Sequence, residues 1–314
     1  MKNEPIKHHY IPRFILKNFC FDDKGNVLYF DKLTHQVSVK NIREVFMVKN
    51  LYRDDTNDPT DRMKIEKDLA KFESDIAHII KEKFLTGKDV FLTKEDDEKL
   101  KLFFAIMGFR SKNAAYLFGE GITKESKRVY SQFQTDEDIT AFWKRNLGYL
   151  VNCRSLKEVL EHNEIDTPIK VFMWRDVFGA FGLHFSVVQC SDDCEGFICG
   201  DAYPVVVDGK TNDIQQLRLY AIHPLSPDRV ILLVGNGADH TPRNVCSLRG
   251  SILQLPFWDE KTNTIRLRVR KLYKEETMHI NRLLERHAVE GYVFKKTHNF
   301  EEKNINILFS PLNP

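Results

Sequence analysis

LRLYAIHPLSPDRVILLVG, residues 217–235, is the stretch on which the reading of the fold turns. Two apolar runs, rich in Leu, Ile and Val, flank a segment punctuated by Pro224, Pro227 and Asp228. Proline fixes φ and Asp bonds to its own backbone, so this segment reads as a turn joining two strands. The same grammar holds on both sides of it. FSVVQ (185–189), GFICG (196–200), YPVVV (203–207) and TIRLRVRKLY (264–273) are short β-rich runs broken by Gly, Pro, Asp and Asn.

Upstream the period changes from two to about 3.6. Between Asp61 and Leu85, the residues Ile65, Leu69, Phe72, Ile76, Ile79 and Phe84 form one apolar stripe, which predicts a helix. Thr93 precedes Lys94-Glu95-Asp96, an N-cap followed by acidic residues in the first turn, and the helix it opens carries Leu100, Phe103, Phe104 and Met107 as far as Arg110 and beyond. Further helix is expected over 123–151, 155–162 and 169–183. Near the start, Pro12 suits a first helical turn, and VLYFD (27–31) with QVSVK (36–40) reads as a hairpin, a candidate to join the later sheet. A last helix is expected over 275–294.

Strands and helices are segregated rather than alternating. The predicted class is therefore α+β, with an antiparallel or mixed sheet built mainly from the C-terminal half and packed against a block of long helices from residues 61–165. One domain is expected over 1–314, comprising that helical block, a β-rich block over 169–274 and the C-terminal helix.

Composition narrows function by exclusion. The 47 basic and 45 acidic residues leave a net charge of +2, so overall charge does not mark a nucleic-acid or membrane-surface protein. No apolar run is long enough to span a bilayer, and the polar start MKNEPIKHHY lacks a signal-peptide core, so no membrane partner and a cytoplasmic location are expected. Six scattered cysteines suit free thiols in a reducing compartment. Cys190, Cys194 and Cys199 lack the paired knuckles of a zinc site. Phosphate-binding loops, dinucleotide fingerprints, zinc-protease helices and the serine-hydrolase elbow are all missing from the sequence.

An ordered set of phrases carries a resemblance. They are HHYIPRFILKNF (8–19), Asn50-Leu51-Tyr52, Glu66, Glu73, Arg110, FICGDAYPVVV (197–207), HPLSP (223–227) and HINRLLERHA (279–288). Together they resemble a bacterial family known as domain of unknown function 4238, over nearly the whole chain. The sequence departs from that pattern at Gly200, where the family usually carries Ser or Thr. The resemblance implies a module of this length and, through an association of such families with bacterial conflict and phage defence, a role in that setting. It implies no particular reaction.

The chemistry expected of these residues is that of a metal-assisted phosphodiester hydrolase, nuclease-like in kind. His-His followed by Pro resembles the opening of the His-Asn-His nuclease motif. On that reading His8 is a ligand of a divalent metal ion and His9 the general base. Asp201, at the end of an apolar run, completes the metal shell, and Arg110 stabilises charge developing on phosphate. Glu66 and Glu73, seven residues apart on one helix, suit ion pairing with a residue such as Arg110 rather than one shared ion.

The competing expectation is a binding module for nucleic acid, nucleotide or protein that carries out no chemistry. Arg266, Arg268 and Arg270 alternate with Ile265, Leu267 and Val269, giving a strand one basic face that could hold a phosphate backbone. A third outcome is that His8, His9 and Asp201 serve the fold alone.

Overall fold

The computed structural model describes residues 7–54, 61–85, 89–111, 139–173, 184–210, 216–234 and 256–295. In chain order the elements are β1 (Lys7–His9), α1 (Arg13–Lys17), β2 (Asn26–Asp31), β3 (Gln36–Asn41), β4 (Met47–Lys49) and α2 (Lys64–Ile79), which runs on as a π-helical turn over Ile80–Phe84. Next come β5 (Asp89–Leu92), α3 (Lys94–Phe109), α4 (Ile139–Leu150), α5 (Leu156–Glu161) and α6 (Thr167–Phe172). The later part holds β6 (His184–Gln189), β7 (Cys199–Gly200), β8 (Val205–Lys210), β9 (Gln216–Ser226), β10 (Arg229–Val234), β11 (Phe257–Asp259), β12 (Thr264–Lys271), α7 (Lys274–His287) and β13 (Gly291–Phe294).

The chain is of the α+β class, and its main sheet is C-terminal and mixed. Six strands run in the order β11-β12-β6-β10-β9-β8, and β5 also pairs with β12. β12 lies parallel to β6, while β9 and β10 are antiparallel and joined at Pro227-Asp228, the turn expected from the sequence. Both faces of this sheet are covered. Ile231 and Leu233 face a core shared with Ile15, Ile76 and Phe103 from the helices, whereas Val230, Leu232 and Val234 face Ile280 and Leu284 of α7. A strand covered on both faces needs apolar side chains at every position, which explains the unbroken run VILLV.

Helix α3 opens with the expected cap. The Thr93 hydroxyl accepts from the Asp96 N–H, and the Asp96 carboxylate accepts from the Thr93 N–H in return. A second core of Tyr52, Leu69, Phe109, Trp143, Leu147 and Ile169 knits α2, α3, α4 and α6 together.

Two expectations change. The C-terminal helix stops at His287, and residues 291–294 form strand β13 instead of the last helical turn. That strand pairs with β2 and β7, so the hairpin β2–β3 joins a separate four-stranded sheet, β3-β2-β13-β7, rather than the main one. Of the helices expected over 123–151 and 169–183, residues 123–138 and 174–183 lie outside the described residues. Among the described residues no helix is long and apolar enough to cross a membrane, and Cys20, Cys153, Cys190, Cys194 and Cys199 are free.

Candidate functional site

Strand β1 pairs antiparallel with β4, His8 opposite Val48 and His9 opposite Met47. Successive strand side chains point to opposite faces, so the two histidines part company. His8 is fully buried; its ring stacks on that of Tyr52, with centroids 5.5 Å apart, and its Nδ1 accepts the Tyr52 backbone N–H at 2.8 Å. Tyr52 is delivered to it by Asn50, which adopts the left-handed conformation (φ 56°) that Asn tolerates. His9 is half-buried, and its Nε2 lies 2.9 Å from the Ile42 carbonyl. A carbonyl only accepts, so Nε2 carries the proton and Nδ1 keeps the lone pair. Burial pulls the His9 pKa down to about 4, assisted by the charges of Arg13, Arg110 and Lys7.

Arg110 sits where α3 ends, with 2% of its surface exposed. Its Nε donates to the Tyr52 hydroxyl at 3.2 Å, one terminal nitrogen donates to Glu73 of α2, and the other donates to the His9 main-chain carbonyl at 2.6 Å. The Tyr52 hydroxyl in turn donates to the Arg110 carbonyl at 3.1 Å, and Trp143 Nε1 donates to the Phe109 carbonyl at 2.8 Å. These side chains satisfy carbonyls that the helix end leaves without intrahelical partners. Arg110 therefore pairs with a glutamate of α2, the use suggested by the sequence, and that glutamate is Glu73.

Glu66, two turns earlier on α2, behaves differently. It is half-buried, within reach of the Arg110 charge, and among the described residues it makes no hydrogen bond or ion pair. Burial pushes its pKa up to about 7; Arg110 opposes that rise and Glu73 adds to it.

His8, His9 and Arg110 are thus brought together around Tyr52. Asp201 occupies a neighbouring position of its own. One carboxylate oxygen accepts the Val289 N–H at 2.7 Å and the other the Glu290 N–H at 2.8 Å, while its own N–H donates to the Gly291 carbonyl. It clamps the turn from α7 into β13. Its charge reaches Tyr10, the residue after His9, whose hydroxyl is pushed up first by burial and then by Asp201. His8 and Asp201, the expected metal ligands, both spend acceptor atoms on backbone N–H groups. Among the described residues no group of three or more His, Cys, Asp or Glu side chains is placed to hold a metal ion.

The arginines of β12 form one row, as alternation requires. Arg266 donates from Nε and a terminal nitrogen to Asp89 at 2.9 and 2.6 Å, Arg270 pairs with Glu276 at 3.0 Å, and Arg268 is exposed. Two of the three guanidiniums are therefore committed to carboxylates of the protein itself.

Tyr52, Glu73 and Trp143 complete the network, with Glu66 beside it, and none of the four was among the site residues expected. The i, i+7 spacing of the glutamates was the available signal. Trp143 carried none, because its partner is a main-chain carbonyl.

A family model described as "Protein of unknown function (DUF4238)" matches residues 7–299, which takes in every residue of this network. No curated protein matches the chain, and no solved structure matches it.

Proposed function

The chain belongs to the DUF4238 family, and on that premise we propose that it is a phosphodiester hydrolase of the nuclease kind, acting in genome conflict, with Glu66 as its acid–base group. The observation that carries this reading is the Glu66 carboxylate: half-buried, among the described residues free of hydrogen bonds, and set beside a fixed arginine. A carboxyl that titrates near neutrality can take a proton from an attacking water and return it to a leaving oxygen. Arg110, held from three sides, presents a positive field that needs no reorganisation as negative charge grows on phosphate. His9, neutral at pH 7, adds an acceptor at Nδ1. A metal-assisted version of the reaction, with His8 and Asp201 as ligands, requires His8 to release the Tyr52 N–H that its Nδ1 now accepts and Asp201 to use the lone pairs its two backbone bonds leave over.

The test is turnover of RNA, DNA and nucleotide substrates by the purified protein, with and without added divalent cations and alongside metal analysis. Glu66→Gln is expected to cut the rate at least about a hundredfold, the lower end for loss of a general acid–base group, with folding intact. A rate that survives Glu66→Gln removes Glu66 from the chemistry.

The second reading is a binding protein without chemistry. It is favoured by the commitment of all three Arg110 nitrogens to protein partners, which makes that guanidinium a lock between segments. Tight binding with no turnover of any phosphodiester would select it.

A further inference from the structure

A cleft of about 640 Å³ lies between α1 and the β2–β3 hairpin, and Ile42, whose carbonyl bonds the His9 ring, is part of its lining. Four cations line it as well: Arg13, Lys17, Lys24 and Arg43, all exposed. Among the described residues none of the four side chains has an ion-pair or hydrogen-bond partner. Arg13 and Lys17 stand one helical turn apart on α1, a like-charge pair that costs a short helix a few tenths of a kcal/mol, roughly.

Two acids share the cleft, Asp22 and Asp23. Asp22 is turned inward on its own loop: it accepts the backbone N–H groups of Lys24 and Asn26 and the Asn26 side-chain amide at 3.1, 2.9 and 2.7 Å. The lining thus carries four positive charges against two negative ones. That excess of two equals the net charge of the whole chain, so this cleft concentrates what the rest of the chain balances. A concave basic site focuses the field and draws anions. Guanidinium forks such as Arg13 and Arg43 suit phosphate oxygens, and flexible lysines suit a chain of them.

His9 connects the cleft to the Arg110 network. Its ring bonds to Ile42, which lines the cleft, and its carbonyl bonds to Arg110. We propose that this cleft grips successive phosphates of an oligonucleotide through Arg13, Lys17, Lys24 and Arg43, and so holds the strand beside His9. The inference rests on the phosphodiester reading above and names where the substrate backbone is held.

The experiment is fluorescence anisotropy with a labelled 20-nucleotide single strand, as RNA and as DNA, on the full-length Glu66→Gln protein. Glu66→Gln allows binding to be read without cleavage. Adding Arg13→Ala, Lys17→Ala and Arg43→Ala should weaken binding by about thirtyfold or more at low salt. It should also flatten the slope of log K against log salt by about two, at roughly 0.7 for each phosphate that is no longer neutralised. All three side chains are exposed and the Arg13–Lys17 repulsion is removed, so the triple variant should melt at or slightly above its parent, and Arg13→Lys with Arg43→Lys should restore most of the binding. Inorganic phosphate and tripolyphosphate form the competing arms. Displacement by tripolyphosphate alone, with no measurable oligonucleotide affinity, would overturn the nucleic-acid assignment. Unchanged affinity and salt slope in the triple variant would overturn the cleft. Hydrolysis fails separately: a protein that loses affinity with these cations but turns over no phosphodiester keeps the cleft and loses the reaction.

Discussion

Arg110 bonds the main-chain carbonyl of His9 at 2.6 Å across 101 residues of sequence. The same guanidinium holds Tyr52 and Glu73, so one buried cation ties β1, the turn at Asn50–Tyr52, α2 and α3. Removing one member of a buried ion pair leaves the other desolvated and unpaired. Arg110→Ala should therefore cost about 3–5 kcal/mol in urea unfolding. Arg110→Lys should recover only part of that, because a single ammonium cannot reach three partners in the plane of a fork.

Glu66 and stability are linked with a definite sign. Its folded pKa, about 7, lies above the ordinary value of 4.5, so the protonated form is favoured in the folded state. The stability it contributes is present below pH 4.5 and is lost as the pH climbs through 7. Glu66→Gln keeps the shape without the charge. The variant should gain on the order of 2 kcal/mol over its parent at pH 8 and nothing at pH 4, read from denaturant midpoints at the two values. A gain that is the same at both pH values would show that Glu66 is not strained by its charge.

His9 runs in the opposite sense. Burial holds its pKa near 4 against an ordinary 6.5, so its contribution is full above pH 6.5 and is lost as the pH falls towards 4. An NMR titration of the ring should show no protonation until well below pH 6. Exposing the ring by opening the β3–β4 segment would return the resonance towards ordinary behaviour, because burial is what holds the pKa down; loss of the Ile42 bond alone would push it lower still.

Much of this fold was written locally. The Thr93 capping box, the stripe along α2 and the Pro227-Asp228 turn each follow from neighbours in sequence, and each is found. The strands that were missed, β1, β4, β5, β11 and β13, have three or four residues apiece, too few for a period to register. Their partners are distant: β13 reaches back to β2, and β5 pairs with β12. The site divides in the same way. A pairing of Arg110 with an α2 glutamate was legible from residue types, but the choice of Glu73 depends on helix packing. The His9 carbonyl was illegible in principle, since every residue has one.

Asp201 tests how much a carboxylate can do for a turn. Its two oxygens each receive a backbone N–H, from Val289 and from Glu290. Asn keeps one acceptor and turns a donor of its own towards the second of those N–H groups. Asp201→Asn should cost about 2–3 kcal/mol, the loss of a charge-assisted bond together with two donors set face to face. The loss should show as faster amide exchange at Val289 and Glu290. Slow exchange there in a destabilised variant would place the role of Asp201 elsewhere.

Two glycines give a sharp contrast among the described residues. At Gly291, the start of β13, a Cβ would lie 2.5 Å from the Tyr29 hydroxyl and closer still to the Phe30 carbonyl. Tyr29 and Phe30 belong to β2, which is hydrogen-bonded to β13 on that side, so the carbonyl cannot withdraw without breaking the ladder. Gly291→Ala should therefore destabilise by about 3 kcal/mol or more, at or above the upper end of ordinary overpacking. Gly108, inside α3, has nothing within 4 Å of the same added carbon. There Ala relieves the backbone entropy that glycine costs a helix, and Gly108→Ala should stabilise by about 0.5–1 kcal/mol. Parallel thermal melts of the two variants check both signs. A tolerated Gly291→Ala would mean that β13 does not press against β2, and the four-stranded sheet to which Asp201 ties the end of α7 would have to be redrawn.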